Sequence, residues 1–403
     1  MFRPWEIIFK EGDEIKKAFV VISGKVLLTS TLGYTIEVGK GEIIGEWSLL
    51  ENKISPESAT AAENVEISEV GFLEFSYHLL SRAFERMELV NKSFTSELKP
   101  LDQVMHFIKQ STRGGWRFFS EVRVNPYYTA RRLIAMSKLE EAYRELMSFD
   151  KRSADPILSS EVEIWKAFCL YFLDPKNAAI RYNALMRKAE DYKRLISFAV
   201  LMEVFSKGPE NLTTTLSLYL KHGVLVPPRT ILMVEGEMGS DALFVLSGYP
   251  RVARFSSGKE KILAFLGPAE VIGEVSTLGD RPRTATVMAN SVVQGLLFSK
   301  GAIEKIVETN KDFGMQILKS ELKRLQRMKM FKDMGRTPMG KFKMLLINWD
   351  LKDLNAMEIS LEEMERYLGL SRQETLDFLN STKAVSLRSD GTLKFLSKLS
   401  KTL

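Results

Sequence analysis

Glu270-Val271-Ile272-Gly273-Glu274-Val275-Ser276-Thr277-Leu278 occurs twice in this chain, the first copy reading Glu42-Ile43-Ile44-Gly45-Glu46-Trp47-Ser48-Leu49-Leu50. Working outward, Pro282-Arg283-Thr284-Ala285-Thr286 follows the later copy and Pro56-Glu57-Ser58-Ala59-Thr60 the earlier one. Upstream, Glu235-Gly236-Glu237 with Phe244-Val245-Leu246-Ser247-Gly248 answers Glu11-Gly12-Asp13 with Phe19-Val20-Val21-Ile22-Ser23-Gly24. The order of landmarks is the same and the offset nearly constant, as expected of a duplicated domain. Within each copy, short β-branched runs such as Ala18 to Ile22, Lys25 to Leu28 and Ala242 to Leu246 alternate with Gly, Asp or Ser punctuation. That spacing predicts a small antiparallel barrel or jelly roll. Ser23-Gly24 and Ser247-Gly248 are its hairpin turns, where glycine supplies a positive φ.

Between the copies the strand signals fade. Ala130, Leu133, Ile134, Leu139, Ala142, Tyr143 and Leu146 fall near i, i+3, i+4 spacing, which predicts helices. Ile164 to Leu173 and Asn177 to Met186 form a further helical pair around the Asp174-Pro175 break. The block loosely resembles tetratricopeptide repeats. After the second copy, Leu318, Leu322, Leu325 and Met328 give Asn310 to Met334 a helical stripe. From Lys319 to Lys343 stand nine basic and two acidic residues, a concentrated positive stretch that favours a nucleic-acid role.

The fold class is therefore α+β and multidomain: two antiparallel β-rolls separated by an all-α block, with a small C-terminal domain. The boundaries fall at 1–77 (first β-roll), 78–212 (helical block), 213–309 (second β-roll), 310–345 (a long helix with linker) and 346–403 (C-terminal domain).

The chain has 403 residues, 45% hydrophobic and 27% charged, with a net charge of +6, ordinary for a globular protein. Its one cysteine, Cys169, lies in an apolar run and reads as a buried structural thiol in a reducing compartment. The N-terminus has no apolar core of a signal peptide. The longest apolar stretch, Leu195 to Phe205, is too short to span a membrane. A cytoplasmic location without membrane contact is expected. The histidines His78, His106 and His222 are scattered, and no metal-ligand spacing, nucleophile elbow, Walker loop or HExxH is present. The chain is thus expected to be no enzyme and to hold no metal or cofactor.

Gly273 to Leu278 followed by Arg281 to Val287 resembles the phosphate-binding cassette of cyclic-nucleotide-binding domains, as in catabolite-activator (Crp/Fnr) regulators, cyclic-nucleotide-dependent kinases and gated channels. The resemblance implies that Glu274 binds the ribose and Arg283 the phosphate. It also implies that Gly273, Ser276, Thr284 and Ala285 contact the ligand mainly through backbone. The chemistry is apt without the family. A guanidinium offers paired donors to a compact phosphodiester monoanion, and a carboxylate accepts a ribose hydroxyl. The base is left open between cAMP and cGMP, since Thr284 is compatible with both.

The first copy keeps Glu46 but carries Glu57 at the arginine position. Two carboxylates would face the phosphate, at a cost on the order of 1 to 4 kcal/mol. The first roll is expected to bind no ordinary cyclic mononucleotide, with Trp47 packing the pocket or a partner.

The last ~55 residues resemble a Crp-type winged helix. Ser360 with Glu363 forms a capping box, Tyr367-Leu368-Gly369-Leu370-Ser371-Arg372 matches the turn into a recognition helix, and Asp390-Gly391 turns the wing. Ser371, Arg372 and Gln373 are the candidate DNA contacts. Asp377 stands where relatives carry an arginine and Glu365 where they carry a small residue. Residues 359–396 hold six acids and five bases, a handicap for phosphate contact. The reading is a cyclic-nucleotide-responsive transcription regulator acting as a homodimer. The alternative is a nucleotide-gated adaptor docking a protein partner through the helical block.

Overall fold

The computed structural model describes residues 1–31, 34–46, 55–70, 89, 99–111, 115–150, 155–256 and 259–396. Strands β1 (Ile7–Phe9), β2 (Ala18–Ser23), β3 (Val26–Thr29), β4 (Thr35–Val38), β5 (Ile43–Ile44), β6 (Ser58–Ala61) and β7 (Glu66–Val70) build the first roll. They form two sheets, β1-β6-β3-β4 and β5-β2-β7. Burial alternates along β3 and β4, so Val26, Leu28, Ile36 and Val38 point to the core between the sheets.

Helices α1 (Leu101–Ser111), α2 (Phe119–Val122), α3 (Pro126–Ala135), α4 (Leu139–Met147), α5 (Pro156–Leu173), α6 (Pro175–Met186), α7 (Ala189–Tyr192), α8 (Ile196–Lys207) and α9 (Thr214–His222) follow. Proline at the first helical position and an aspartate cap explain where α5 and α6 begin: Asp155 accepts from the Ile157 amide and Asp174 from that of Asn177. Helix α5 is the hub, packing on α4, α6 and α8, while α9 returns to α3. At its centre the fully buried Glu161 accepts hydrogen bonds from Tyr127 Oη (2.8 Å), Trp165 Nε1 (2.8 Å) and Ser197 Oγ (2.5 Å). Burial raises the Glu161 carboxyl above its ordinary value, and these three donors only partly offset it. Burial likewise pushes the Cys169 thiol up to about 12, which suits an inert structural residue.

The intervening block is not wholly helical. Arg117–Phe118 forms β8, which pairs parallel to the second roll. Helix α1 lies on that roll too, Val104 and Ile108 joining Ile231, Ala253, Phe255 and Met288 in one apolar cluster. These departures have one physical reason: the outer face of the second roll's sheet is apolar and must be covered.

The second roll comprises β9 (Gly223–Val226), β10 (Thr230–Met233), β11 (Asp241–Ser247), β12 (Pro250–Ser256), β13 (Lys259–Phe265), β14 (Val271–Ile272), the short helix α10 (Glu274–Leu278), β15 (Thr286–Ala289) and β16 (Val293–Ser299). Its sheets, β13-β12-β15-β10-β8 and β14-β11-β16-β9, repeat the first roll's order strand for strand and add β8 and β9 at edges. The two hairpin glycines are obligatory in both copies. Gly24 and Gly248 have φ of +84° and +90°, and a Cβ on either would lie 2.2 Å from a carbonyl oxygen, that of Asn64 or Val292. Polar contacts fix the helical block to this roll. Tyr128 Oη donates to the Leu225 carbonyl, and the buried Gln294 accepts from the Ile196 amide and donates to the Arg194 carbonyl.

Helices α11 (Lys300–Thr309) and α12 (Lys311–Met334) come next, α12 capped by Asn310, which accepts from the Phe313 amide. The C-terminal unit holds α13 (Pro338–Asn348), α14 (Leu351–Ala356), α15 (Leu361–Leu368), α16 (Arg372–Thr382) and the hairpin β17 (Val385–Leu387) to β18 (Leu393–Phe395). Ser360 and Glu363 form the expected capping box, and Gly391, at φ +84°, turns the hairpin. The unit packs α15 on the edge strand β13, with Ile262 and Phe265 entering its core. A buried ion network seals the joint: Arg251 binds Glu260 (2.7 Å), Asn290 and Glu363, and Arg366 binds Glu260.

Glu161→Gln is expected to keep all three hydrogen bonds, its amide donating to Ser197 instead of accepting. Because the carboxyl's folded value is raised, the wild type loses stability as pH rises from about 4.3 through that value. The variant's thermal midpoint is therefore expected to exceed the wild type's by a margin that grows with pH. Glu161→Ala, which strands the Tyr127 and Trp165 donors, is expected to cost about 3 kcal/mol or more in denaturant titrations.

Candidate functional site

β14 ends at Ile272, and the left-handed φ of +83° at Gly273 turns the chain directly into α10. A Cβ at 273 would fall 2.3 Å from a terminal nitrogen of Arg283, so only glycine permits that close approach. Arg283 precedes β15 and is 4% exposed. Its guanidinium donates to the Gly273 carbonyl (2.8 Å), Thr277 Oγ1 (3.3 Å), the Asp241 carbonyl (2.6 Å) and Asp241 Oδ1 (3.1 Å). Burial lowers its pKa from the ordinary arginine value, while Asp241, Glu237 and Glu274 act in the opposite sense. Ser276 Oγ donates to the Pro282 carbonyl at 3.3 Å, tying α10 to the segment that carries the arginine.

Glu274 is 1% exposed. It is paired with Arg324 of α12, which also donates to the Val271 carbonyl at 2.6 Å. One turn on, Arg327 forks onto Glu270 (2.9 and 2.7 Å), joined there by Lys323 (3.0 Å). Burial opposes the charge on Arg324, but Glu274 and Glu321 hold it above its ordinary value. Glu321, fully buried beside them, is pushed well up by burial and by the charges of Glu274 and Glu270.

These groups surround a cavity of about 490 Å³, a size usual for small-molecule sites. Gly273, Glu274, Ser276, Arg283, Thr284 and Ala285 all line it. Arg324, Arg327 and Lys99 line it as well, and so do residues of the C-terminal unit. None of these has a motif of its own. The only signal for Arg324 and Arg327 was the basic run 319–343, which reads as a free positive stretch. In the structure Lys323, Arg324 and Arg327 are instead spent on Glu270 and Glu274, because the stripe facing the roll carries them.

In the first roll Glu46 and Glu57 are both fully buried, and Tyr34 Oη donates to Glu57 at 2.9 Å. Trp47 lies outside the described residues. At the C-terminal end, Ser371 is consumed as the cap of α16, bonded to Glu374. Arg372 and Gln373 are exposed on the first turn, but Arg372 reaches Glu365 (3.4 Å) and Gln373 donates to Asp377 (2.9 Å). Among the described residues no group of three or more His, Cys, Asp or Glu could hold a metal ion, and no helix is long and apolar enough to cross a membrane.

The cyclic nucleotide-binding domain family matches residues 1–76 and 224–310. The potassium channel AKT2 of Oryza sativa subsp. japonica is 32% identical over 100 residues, 24% of this chain and 12% of the channel. A CRP-like cAMP-activated global transcriptional regulator of Mycobacterium tuberculosis is 27% identical over 94 residues, 23% of this chain and 42% of that protein. The match thus spans less than half the length of each of these relatives. Among solved structures, the c-di-GMP responsive regulator CLP of Xanthomonas campestris is 18% identical at TM-score 0.36, covering 45% of this chain and 98% of its own. The N-terminal domain of a transcriptional regulator from Streptomyces coelicolor A3(2) is 29% identical at TM-score 0.23, covering 29% and 87%. The two rolls of this chain are thus the two segments that match the cyclic nucleotide-binding domain.

Proposed function

We propose that the chain is a cyclic-nucleotide-responsive transcription regulator with one working site, in the second roll. The observation that carries this is the convergence of the six cassette residues with Arg324 of α12 on one cavity. Arg283 and the Gly273 turn take the phosphate, and Glu274 accepts the ribose hydroxyl. Arg324, bound to Glu274, makes α12 part of the site, so a ligand that competes for Glu274 alters the hold on that helix. A ligand can shift α12 only by binding one of its positions more tightly. The C-terminal unit, which we read as a winged helix, then presents Ser371, Arg372 and Gln373 to DNA in a homodimer. We assign no catalysis and no cofactor beyond the ligand, cAMP or cGMP. In the first roll, Glu57 occupies the arginine position and is already engaged by Tyr34, which supports a structural role.

One observation favours the alternative of an adaptor that docks a protein partner: Arg372 and Gln373 are each engaged by an acidic neighbour, Glu365 or Asp377. A DNA reader needs those donors for base edges.

Calorimetry is expected to find one cyclic nucleotide per chain. Arg283→Ala should weaken it by at least about 3 kcal/mol, roughly a hundredfold in Kd, and Arg283→Lys should weaken it less. Two bound per chain would refute the assignment of the first roll. In gel shifts, DNA retardation is expected with nucleotide and should fall steeply with salt. No retardation at low salt would leave the adaptor.

A further inference from the structure

The cavity does not close on the roll and α12 alone. Its far wall is Met344, Leu345 and Asn348 of α13, then Trp349, with Tyr367 of α15 beside them. These residues belong to the C-terminal unit, and Trp349 is held in the wall from three sides. Its ring lies against Gly267 of the roll, where a Cβ would come within 2.7 Å of Cη2. Lys323 and Arg327 of α12 sit over the indole at 4.5 and 4.8 Å. Tyr249 meets it edge-on at 6.0 Å and anchors α14 by donating to Asp353 (2.6 Å). The wall is therefore built into the fold.

Among the described residues that line the cavity, Asn348 carries the only side-chain amide. Its amide nitrogen donates to the Met344 carbonyl at 2.7 Å, which orients the group. The hydroxyl of Tyr367 is already committed to the Lys341 carbonyl at 3.1 Å. With phosphate and ribose fixed at the Gly273 to Ala285 end, the flat, apolar faces of a purine suit Leu345 and Trp349. Its polar edge then meets the Asn348 amide at that wall. An amide presents a donor and an acceptor side by side, the pattern complementary to the adenine 6-amino group and N7.

Resting on the reading that the second roll binds a cyclic nucleotide, we propose that the base is read by the C-terminal unit itself, with Asn348 as the specificity-determining residue and adenine as the base it favours. The ligand then bridges roll and C-terminal unit directly, beside the route through α12.

The test is calorimetry on the full chain with cAMP, cGMP and the 6-oxo analogue cIMP. Wild type is expected to favour cAMP over cIMP at least tenfold. Asn348→Ala and Asn348→Asp should reduce that ratio to near unity, with thermal midpoints close to wild type because the position is half-buried. Trp349→Phe should weaken all three ligands while keeping the ratio. A wild-type chain that binds cAMP with a ratio unmoved by both Asn348 variants would overturn the assignment of the base, as would wild-type preference for cGMP. Binding of none of the three by wild type would overturn the cyclic-nucleotide reading itself.

Discussion

A carboxylate at 1% exposure is tolerable only if something pairs with it, and Arg324 does so for Glu274. The rest of the second half of the chain hangs on this pair. Removing one partner of a buried ion pair typically costs about 3–5 kcal/mol, because the other is left buried and charged. The pair is reinforced one turn along by Arg327 on Glu270, and the Ser320 hydroxyl receives the Val271 amide between them (2.9 Å). Helix α12 is thereby held along β14 by charge and hydrogen bonds. Glu321, on the same stripe, is fully buried, and burial pushes its carboxyl well above the ordinary value.

From α12 the arrangement propagates. Lys323 and Arg327 also cover the Trp349 indole, so one helical face touches the cassette and the C-terminal unit at once. That unit grips the edge strand β13 on its other side through Arg366 and Glu363, which meet Glu260 and Arg251. An exposed edge strand is a pairing liability, and the covered edge removes it. The first roll, built with the same strand order, has no described counterpart of the arginine–glutamate cassette. Its Glu57 is satisfied by a tyrosine.

Much of this was legible in the primary structure. The duplicated order of glycines, carboxylates and small residues required two rolls of the same strand order, and hairpin glycines at 24 and 248 proved sterically obligatory. The Asp174-Pro175 break and the Ser360 capping box lie where local chemistry requires them, since a cap needs only its own neighbouring amides. Less legible were the strand Arg117–Phe118 and helix α1, whose partners are more than a hundred residues away on the second roll.

The basic run 319–343 shows the limit most clearly. Composition reports nine cations but not which way each one faces, and three of them turn inward onto Glu270 and Glu274. By itself the sequence determined the cassette, because Gly273, Glu274, Ser276, Arg283, Thr284 and Ala285 lie close along the chain and one tight turn gathers them. Only the tertiary structure decided what faces that cassette. Lys99, Arg324, Asn348 and Trp349 come from segments far apart in the chain. Long-range packing of apolar faces, which many sequences satisfy equally well, is what brings them to one cavity.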